Sequence, residues 1–402
     1  MRVALVSEHA NPLATLGGAD AGGQNVHVAA LASGLARRGH DVTVYSRRDS
    51  PDAPVRVPGP DGYVVEHVPA GPPTDVPKDE LLPYMPAFGD YLKDRWRSDP
   101  VDVVHAHFWM SGLAAVRATR GSATPVLQTF HALGSVKRRQ QSALDTSPPA
   151  RIALERDLCA SVDHVIATCS DEVRNLRELG LAGDRATVIP CGVDVETFRP
   201  HEVEPHDRLR LLVIGRIVTR KGVGNVIEAL AELPGVELTV AGGPRADALD
   251  ADPEVDRLRR LAERLGVADR VRFVGAIARE QVPALMCAAD VVVTVPWYEP
   301  FGIVPLEAMA CGRPVVGSAV GGLLDTVVPG VTGELVPPRR PDLLAATLRD
   351  LLADPERRAA YGRAGRRRAV ERYPWSRVVE LTERVYASVA SSRSGTALGV
   401  SR

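Results

Sequence analysis

The 402-residue sequence contains no apolar run near the roughly 18 residues that span a bilayer, so stable membrane insertion is not expected. It also lacks a basic excess. A formal net charge of −1 argues against a nucleic-acid binder. The five cysteines, Cys159, Cys169, Cys191, Cys287 and Cys311, are odd in number and show no C-x-x-C spacing. A zinc ribbon or disulfide framework is therefore not expected, and they read as buried thiols. No basic stretch and long apolar core open the chain; Met1 leads straight into a strand-like run followed by Glu8, His9 and Asn11. The expected compartment is the cytoplasm. Lysine is nearly missing: of 49 lysine-plus-arginine residues, only Lys78, Lys93, Lys137 and Lys221 are lysines. Where arginine serves almost every basic position, a retained lysine points to a need for a compact ammonium. No histidine follows His206, so histidine chemistry must come from the first half.

What is present is ordinary globular composition, 45% hydrophobic and 25% charged, at a length that suits two domains. Strands are expected over 3–6, 41–45, 101–104, 126–129, 164–167 and 187–189, and again over 210–214, 237–241, 271–274, 291–295, 314–317 and 334–336. Most of these runs are continuously apolar, as parallel strands covered on both faces should be. Helices fit between them over 25–38, from an N-cap at Ser170 to Gly180, and over 223–232, 255–265, 279–288, 305–310 and 341–353. The fold class is α/β, with two Rossmann-like parallel-sheet domains over 1–203 and 204–374. A helix over 375–390 follows Pro374, and a disordered tail is expected over 391–402.

Four motifs sit where strands end. The first is Glu299-Pro-Phe-Gly-Ile-Val-Pro-Leu-Glu307. Pro305 suits a first helical turn, placing Glu307 in that turn, while Phe301, Gly302 and Ile303 offer backbone N–H groups to an anion or a sugar. Two carboxylates accepting from sugar and ribose hydroxyls would fix a nucleotide sugar at both ends. The second, Gly215-Arg216-Ile-Val-Thr-Arg220-Lys221-Gly222, presents cations suited to a leaving diphosphate, with Arg220 reading as a solvated charge. It is not a Walker loop. The third, Gly17-Gly18-Ala-Asp20-Ala-Gly22-Gly23-Gln24-Asn25, allows close approach to backbone amides and offers two side-chain amides. The fourth is Thr129-Phe130-His131, with Lys137 six residues on; Lys78 and Arg151 are further cations for an anionic acceptor. Two metal-like patterns are set aside. His105 and His107 share a strand face without a third ligand nearby, and Asp252 of Asp250-Ala-Asp252 reads as a helix N-cap.

Taken together and in this order, these residues resemble the retaining GT-B glycosyltransferases of family 4 over about residues 1–390. The Gly17–Asn25 and His131–Lys137 segments are similar to those of sucrose-phosphate synthases and of the inositol-phosphate N-acetylglucosaminyltransferase of mycothiol synthesis. The resemblance implies two domains facing across a cleft, a final helix crossing back onto the first, and metal-independent transfer with retention. It implies Glu307 on the ribose, Glu299 on the donor sugar, and Arg216, Lys221 and the Gly23 backbone on the diphosphate. His131 would contact the transferred sugar, and Lys78, Lys137 and Arg151 the acceptor's phosphate. Phe108 and Ala132 stand where the inositol-phosphate enzymes carry a tyrosine and a threonine, so their acceptor does not transfer directly.

The expected activity is transfer of a sugar from a UDP-, GDP- or ADP-linked donor to a small polar acceptor bound near Gln24 and Asn25. No cofactor, metal or nucleic acid is expected, and a homodimer stays open. An epimerase or hydrolase of the same architecture, or a sugar-nucleotide-binding regulator without turnover, are the alternatives.

Overall fold

Valine-, leucine- and isoleucine-rich runs become strands because branched side chains pack well on a pleated surface buried on both faces. The computed structural model describes residues 1–14, 22–141, 145–204 and 206–399, with side chains through 392. The chain forms two compact units, one of Met1–Pro190 with Trp375–Arg402 and one of Cys191–Pro374.

The first unit contains β1 (Arg2–Val6), β2 (Asp41–Arg47), β3 (Arg56–Pro58), β4 (Val64–Val68), β5 (Val103–His107), β6 (Val126–Thr129), β7 (His164–Ala167) and β8 (Ala186–Val188). Their order in the sheet is β3-β4-β2-β1-β5-β6-β7-β8. Every pair is parallel except β3 with β4. Val3, Leu5, Leu31, Leu35 and Val44 form a core with Val378, Val379 and Tyr386 of the last helix, Trp375–Gly399. Gly34 makes this close contact possible, since a Cβ there would lie 2.4 Å from Val379 Cγ2. Glu383 of the same helix bonds His40 at 2.8 Å.

The second unit contains β9 (Arg210–Ile214), β10 (Glu237–Ala241), β11 (Val271–Gly275), β12 (Val291–Thr294), β13 (Val315–Ser318) and β14 (Gly333–Val336). All are parallel in the order β11-β10-β9-β12-β13-β14. Apolar clusters cover both faces, one around Leu230, Leu258 and Leu348, the other around Phe198, Met286 and Leu306. In each sheet the strand order reverses beside the first strand of its unit, at β1/β5 and at β9/β12. Outside the carboxyl ends of such strands, open α/β sheets bind ligands.

Several expectations differ from the structure. The units divide at Pro190/Cys191, because Val193 and Phe198 join the second unit's core and Arg366 bonds the carbonyls of Val195 and Phe198. Strands β3 and β4 were not expected. The strand expected over 101–104 lies at Val103–His107, carrying both histidines inside the sheet. Helices Met85–Ser98, Trp109–Ala118, Gly134–Gln141, Arg151–Ser161 and Pro355–Arg372 were also not expected. Trp109–Ala118 is almost wholly buried and shows no polar face. In Pro355–Arg372, Gly362 weakens the local signal yet is required, since a Cβ would lie 2.2 Å from the Gly312 carbonyl. Cys169, not Ser170, caps the helix Ser170–Glu178. The last helix runs to Gly399 through most of the tail expected to be disordered, and 400–402 lie outside the described residues. Among the described residues no helix is long and apolar enough to cross a membrane.

Candidate active site

In the second unit three loops meet at the carboxyl ends of β9, β12 and β13. Trp297 N–H donates to the Arg220 carbonyl at 2.9 Å, and Gly322 N–H to the Glu299 carbonyl at 2.7 Å. Gly222 (φ 75°) and Gly321 (φ 50°) permit these approaches, since a Cβ at either would lie 2.1 or 2.2 Å from a neighbouring carbonyl oxygen. The braced loops bring Lys221 Nζ to 2.6 Å from Glu299 Oε2, both largely shielded from solvent. Burial pushes the Glu299 carboxyl upward, but the Lys221 ammonium outweighs it and holds the group below its ordinary range. Arg220 is half buried, and burial, with Arg216 beside it, lowers its pKa. The expected solvated role for Arg220 is thus corrected: its side chain is part of the loop's interior. Arg216 is exposed.

Gly302 takes the left-handed conformation (φ 75°, ψ 42°) and caps the helix Ile303–Ala310. Pro305 is therefore the third helical residue and Glu307 the fifth, in the second turn rather than the first. Glu307 is buried, and burial raises its pKa while Arg279 Nη2, 2.6 Å away, opposes the shift. Arg279 also lies over the Phe198 ring at 4.6 Å. No glycine pattern flags this arginine after β11, and the sequence gives no other signal for it. Arg339 over Trp297, 3.9 Å from the ring centroid, escaped notice for the same reason.

In the first unit the ends of β1, β5 and β6 come together. Phe108 (φ 81°, ψ 154°) and His131 (φ 61°) follow β5 and β6 in conformations that cost side-chain-bearing residues about 1–3 kcal/mol each. His131 sits in a tight turn, with Ala132 N–H donating to the Phe130 carbonyl at 2.7 Å. His131 Nε2 lies 2.9 Å from His107 Nδ1, and His105 bonds Tyr386 and Thr129. These three and His27 are buried and mutually close. Burial drives His27 down to about 4 and His105 to about 3, and holds His107 and His131 well below their ordinary value. The cluster is neutral.

The remaining first-unit candidates are held by contacts within the unit. Gln24 Nε2 donates to Ser7 Oγ and the His107 carbonyl. Arg151 is buried, donating to the Ala132 carbonyl, Ser147 Oγ and Glu155 Oε1. Lys137 Nζ reaches Ser147 Oγ at 2.9 Å and Asp145 at 3.2 Å, with Asp79, the neighbour of Lys78, at 3.6 Å.

Residues 194–368 match the family described as Glycosyl transferases group 1, and residues 21–197 the one described as Glycosyltransferase Family 4. A D-inositol 3-phosphate glycosyltransferase of Catenulispora acidiphila is 37% identical over 413 residues, covering 98% of this chain and 97% of the relative. The chain belongs to the family 4 glycosyltransferases. A D-inositol 3-phosphate glycosyltransferase of Mycolicibacterium smegmatis is 38% identical over 404 residues, covering 97% of this chain and 92% of that one. Among solved structures, a sucrose-phosphate synthase from Thermosynechococcus elongatus superposes with a TM-score of 0.89 at 32% identity, covering 97% of this chain and 99% of the other. An Anabaena protein crystallised with UDP-glucose shares the GT-B fold at a TM-score of 0.74 and 21% identity, over 96% of this chain and all of the other.

In this glycosyltransferase the structure joins Lys221, Glu299, Phe301, Gly302, Ile303 and Glu307 in one unit, and Gln24, His131, Lys137 and Arg151 in the other. Four of these candidates already have partners within their own unit. The His131 imidazole is buried, with Nε2 2.9 Å from His107 Nδ1. Asn25 accepts from Gly22 N–H and donates to the Asn11 carbonyl. Arg151 is paired with Glu155 and Lys137 with Asp145. Gly23 opens the helix Gly23–Arg37, two residues before the expected start, and Lys78 lies half buried in the single turn Lys78–Glu80. Gly17, Gly18 and Asp20 lie outside the described residues. Asp252 does cap the helix Pro253–Arg264. Glu8 and His9, at the end of β1, were not singled out as site residues; no carboxylate motif marks them.

Proposed function

We propose that this enzyme moves a sugar from a nucleoside-diphosphate donor to a hydroxyl of a small polar acceptor, with retention and without a metal ion. The observation that carries the reading is the shielded Lys221–Glu299 pair at the β9/β12 switch point. An ammonium has three donors, so Lys221 can hold Glu299 and a diphosphate oxygen together. Lys221 and Arg216 offset the charge that grows on the diphosphate as the bond to the sugar's anomeric carbon breaks. Glu299 accepts from the sugar's hydroxyls and Glu307 from the ribose. The N–H groups of Phe301, Gly302 and Ile303, and of Gly23, add donors at helix N-termini. His131 bounds the transferred sugar from its turn, and Gln24, Lys78, Lys137 and Arg151 serve the acceptor. The new bond forms on the face the diphosphate leaves, and the acceptor's proton passes to the departing phosphate oxygen. The names of the relatives make a phosphorylated polyol the first acceptor to try.

Thermal stabilisation by UDP-, GDP- and ADP-glucose and by UDP-N-acetylglucosamine should select one base. With that donor, D-inositol 3-phosphate and free inositol are compared as acceptors, with the product's anomeric configuration read by NMR and activity repeated in EDTA. Transfer with retention, unchanged by EDTA, is expected. Free or epimerised sugar without any acceptor would instead assign a hydrolase or epimerase. Donor binding with no diphosphate release under any condition would leave a regulator.

A further inference from the structure

The turn after β14 holds an arginine that the transfer chemistry above does not use. It reads Pro337-Pro338-Arg339-Arg340-Pro341, and Pro341 opens the helix Pro341–Leu352. A proline fixes its own φ, and the residue ahead of one is kept out of the helical region. Arg340 accordingly stands at φ −124° and ψ 76°. The reversal falls on Arg339, which takes φ 59°. That left-handed conformation suits glycine and disfavours a long side chain. Among the described residues Asp61, Phe108 and His131 also take a positive φ. Asp61 is of a type that visits this region readily, and Phe108 and His131 stand at the strand ends of the first unit's site. Arg339 is the one that lies in the second unit. Such strain persists only where the surroundings over-determine it, and it clusters at functional sites.

What Arg339 touches gives the strain a purpose. Its guanidinium stands 3.9 Å from the centroid of the Trp297 ring. The contact reaches from the end of β14, past β13, to the loop after β12. A flat, weakly hydrated guanidinium is suited to lie on an aromatic face. Trp297 is half buried, and its N–H donates to the Arg220 carbonyl at 2.9 Å. Lys221 follows Arg220 directly, and Glu299 follows Trp297 by two residues. The backbone tie at Trp297 therefore sets the register in which Lys221 Nζ meets Glu299 Oε2 at 2.6 Å.

We propose that Arg339 is a positioning residue for the donor: lying on the Trp297 indole, it holds the 297–299 loop where Lys221 and Glu299 together receive a nucleoside-diphosphate sugar. This rests on the transferase reading above. Arg339 acts through Trp297, not through its charge. Arg340 supplies the control, since it carries the same charge on the same turn but pairs with Asp342 in solvent.

The test uses the full chain and whichever of UDP-, GDP- and ADP-glucose the wild type binds, with Kd read by calorimetric titration. Arg339→Ala should raise the donor Kd about two- to fivefold, the worth of one cation–π contact at a partly exposed site. Arg339→Gly should weaken the donor equally. It should also leave the melting temperature of the ligand-free chain within about 2 °C of wild type, because relief of left-handed strain offsets the lost contact. Arg339→Lys, which keeps a cation for the ring, should recover part of the affinity. Arg340→Ala should leave the donor Kd unchanged. In a Trp297→Leu background the effect of Arg339→Ala should vanish. The Arg339→Gly result decides alone if Trp297→Leu does not fold. An unchanged donor Kd in the Arg339 variants overturns the inference. An equal loss in Arg340→Ala, or an undiminished loss in the Trp297→Leu background, assigns the effect to charge and overturns it too. Donor binding by the wild type without transfer to any acceptor overturns the proposed function, while the Kd ratios still decide this inference. No donor bound by the wild type overturns both.

Discussion

The two units place their chemistry in opposite electrostatic settings. In the second unit the candidate residues are charged and paired between loops or elements, Lys221 with Glu299 and Arg279 with Glu307. In the first, four neutral histidines lie buried beneath two strained strand ends, and the cations Arg151 and Lys137 are paired internally. A charged ligand part, such as a diphosphate, is suited to opposite charges whose partners it can share or exchange. A neutral polar part is better served by fixed lone pairs and donors whose geometry is set in advance. On the proposed reading, the charged pairs of the second unit meet the charged part of the donor.

The sharpest way to break the comparison is at the Lys221–Glu299 pair. Lys221→Ala and Glu299→Ala should each lower turnover about 10²–10³-fold, as removing one preorganised group at a reacting centre does elsewhere. Because each residue also holds the other, the double variant should lose less than the product of the two. Release of nucleoside diphosphate measures all three. A strictly multiplicative loss would mean that the pair does not act as a unit.

Acid should divide the units next. The folded-state pKa of His27 is about 4 and that of His105 about 3, with His107 and His131 also low. Between the ordinary value near 6.5 and pH 4 the unfolded chain binds more protons, so stability falls as pH falls through this window. For His27 alone the loss is on the order of 3 kcal/mol. Glu172 runs the other way: its pKa, raised to about 7 by burial, gives stability that is present at low pH and lost as pH rises through 7. Burial raises Glu155 in the same direction, and the four histidines outweigh these two glutamates. The second unit holds only His201 and His206. Tryptophan fluorescence should therefore report first-unit loosening (Trp96, Trp109, Trp375) at a higher pH than any change at Trp297. Coincident transitions would mean that the two units unfold together.

The same contrast explains what the sequence could reveal. Glu299, Gly302 and Glu307, and Arg216 with Lys221, stand out because loops that approach so closely demand glycine and proline at fixed spacings. The parallel sheets are likewise visible as apolar runs. Arg279 is not visible, since its partner lies 28 positions away and nothing local requires an arginine. The burial of His131 against His107 and the strain at Phe108 are set by strands that pair across long separations, so no short window records them. Helix Trp109–Ala118 is not visible because an almost wholly buried helix has no polar stripe to give it away.

The smallest expected effect compares the two helix-opening glycines, one in each unit. Gly22 caps Gly23–Arg37 in extended backbone (φ −162°), and a Cβ there would meet nothing within 4 Å. Gly22→Ala should cost about 0.5 kcal/mol, the poorer capping of alanine. Gly302 caps Ile303–Ala310 in the left-handed region, and a Cβ there would lie 3.3 Å from Thr326 Oγ1. That hydroxyl is buried and bonded to the Gly322 carbonyl at 3.0 Å, so it cannot move without loosening the loop that braces Glu299. Gly302→Ala should therefore cost about 1–2 kcal/mol by denaturant titration, from left-handed strain alone. It should also raise the donor KM by disturbing the N–H groups of Phe301 and Ile303, while Gly22→Ala should leave the donor KM unchanged. Equal stability losses at the two positions would show that the turn at Gly302 is not under strain, and that the backbone donors beside it are less fixed than the charges around them.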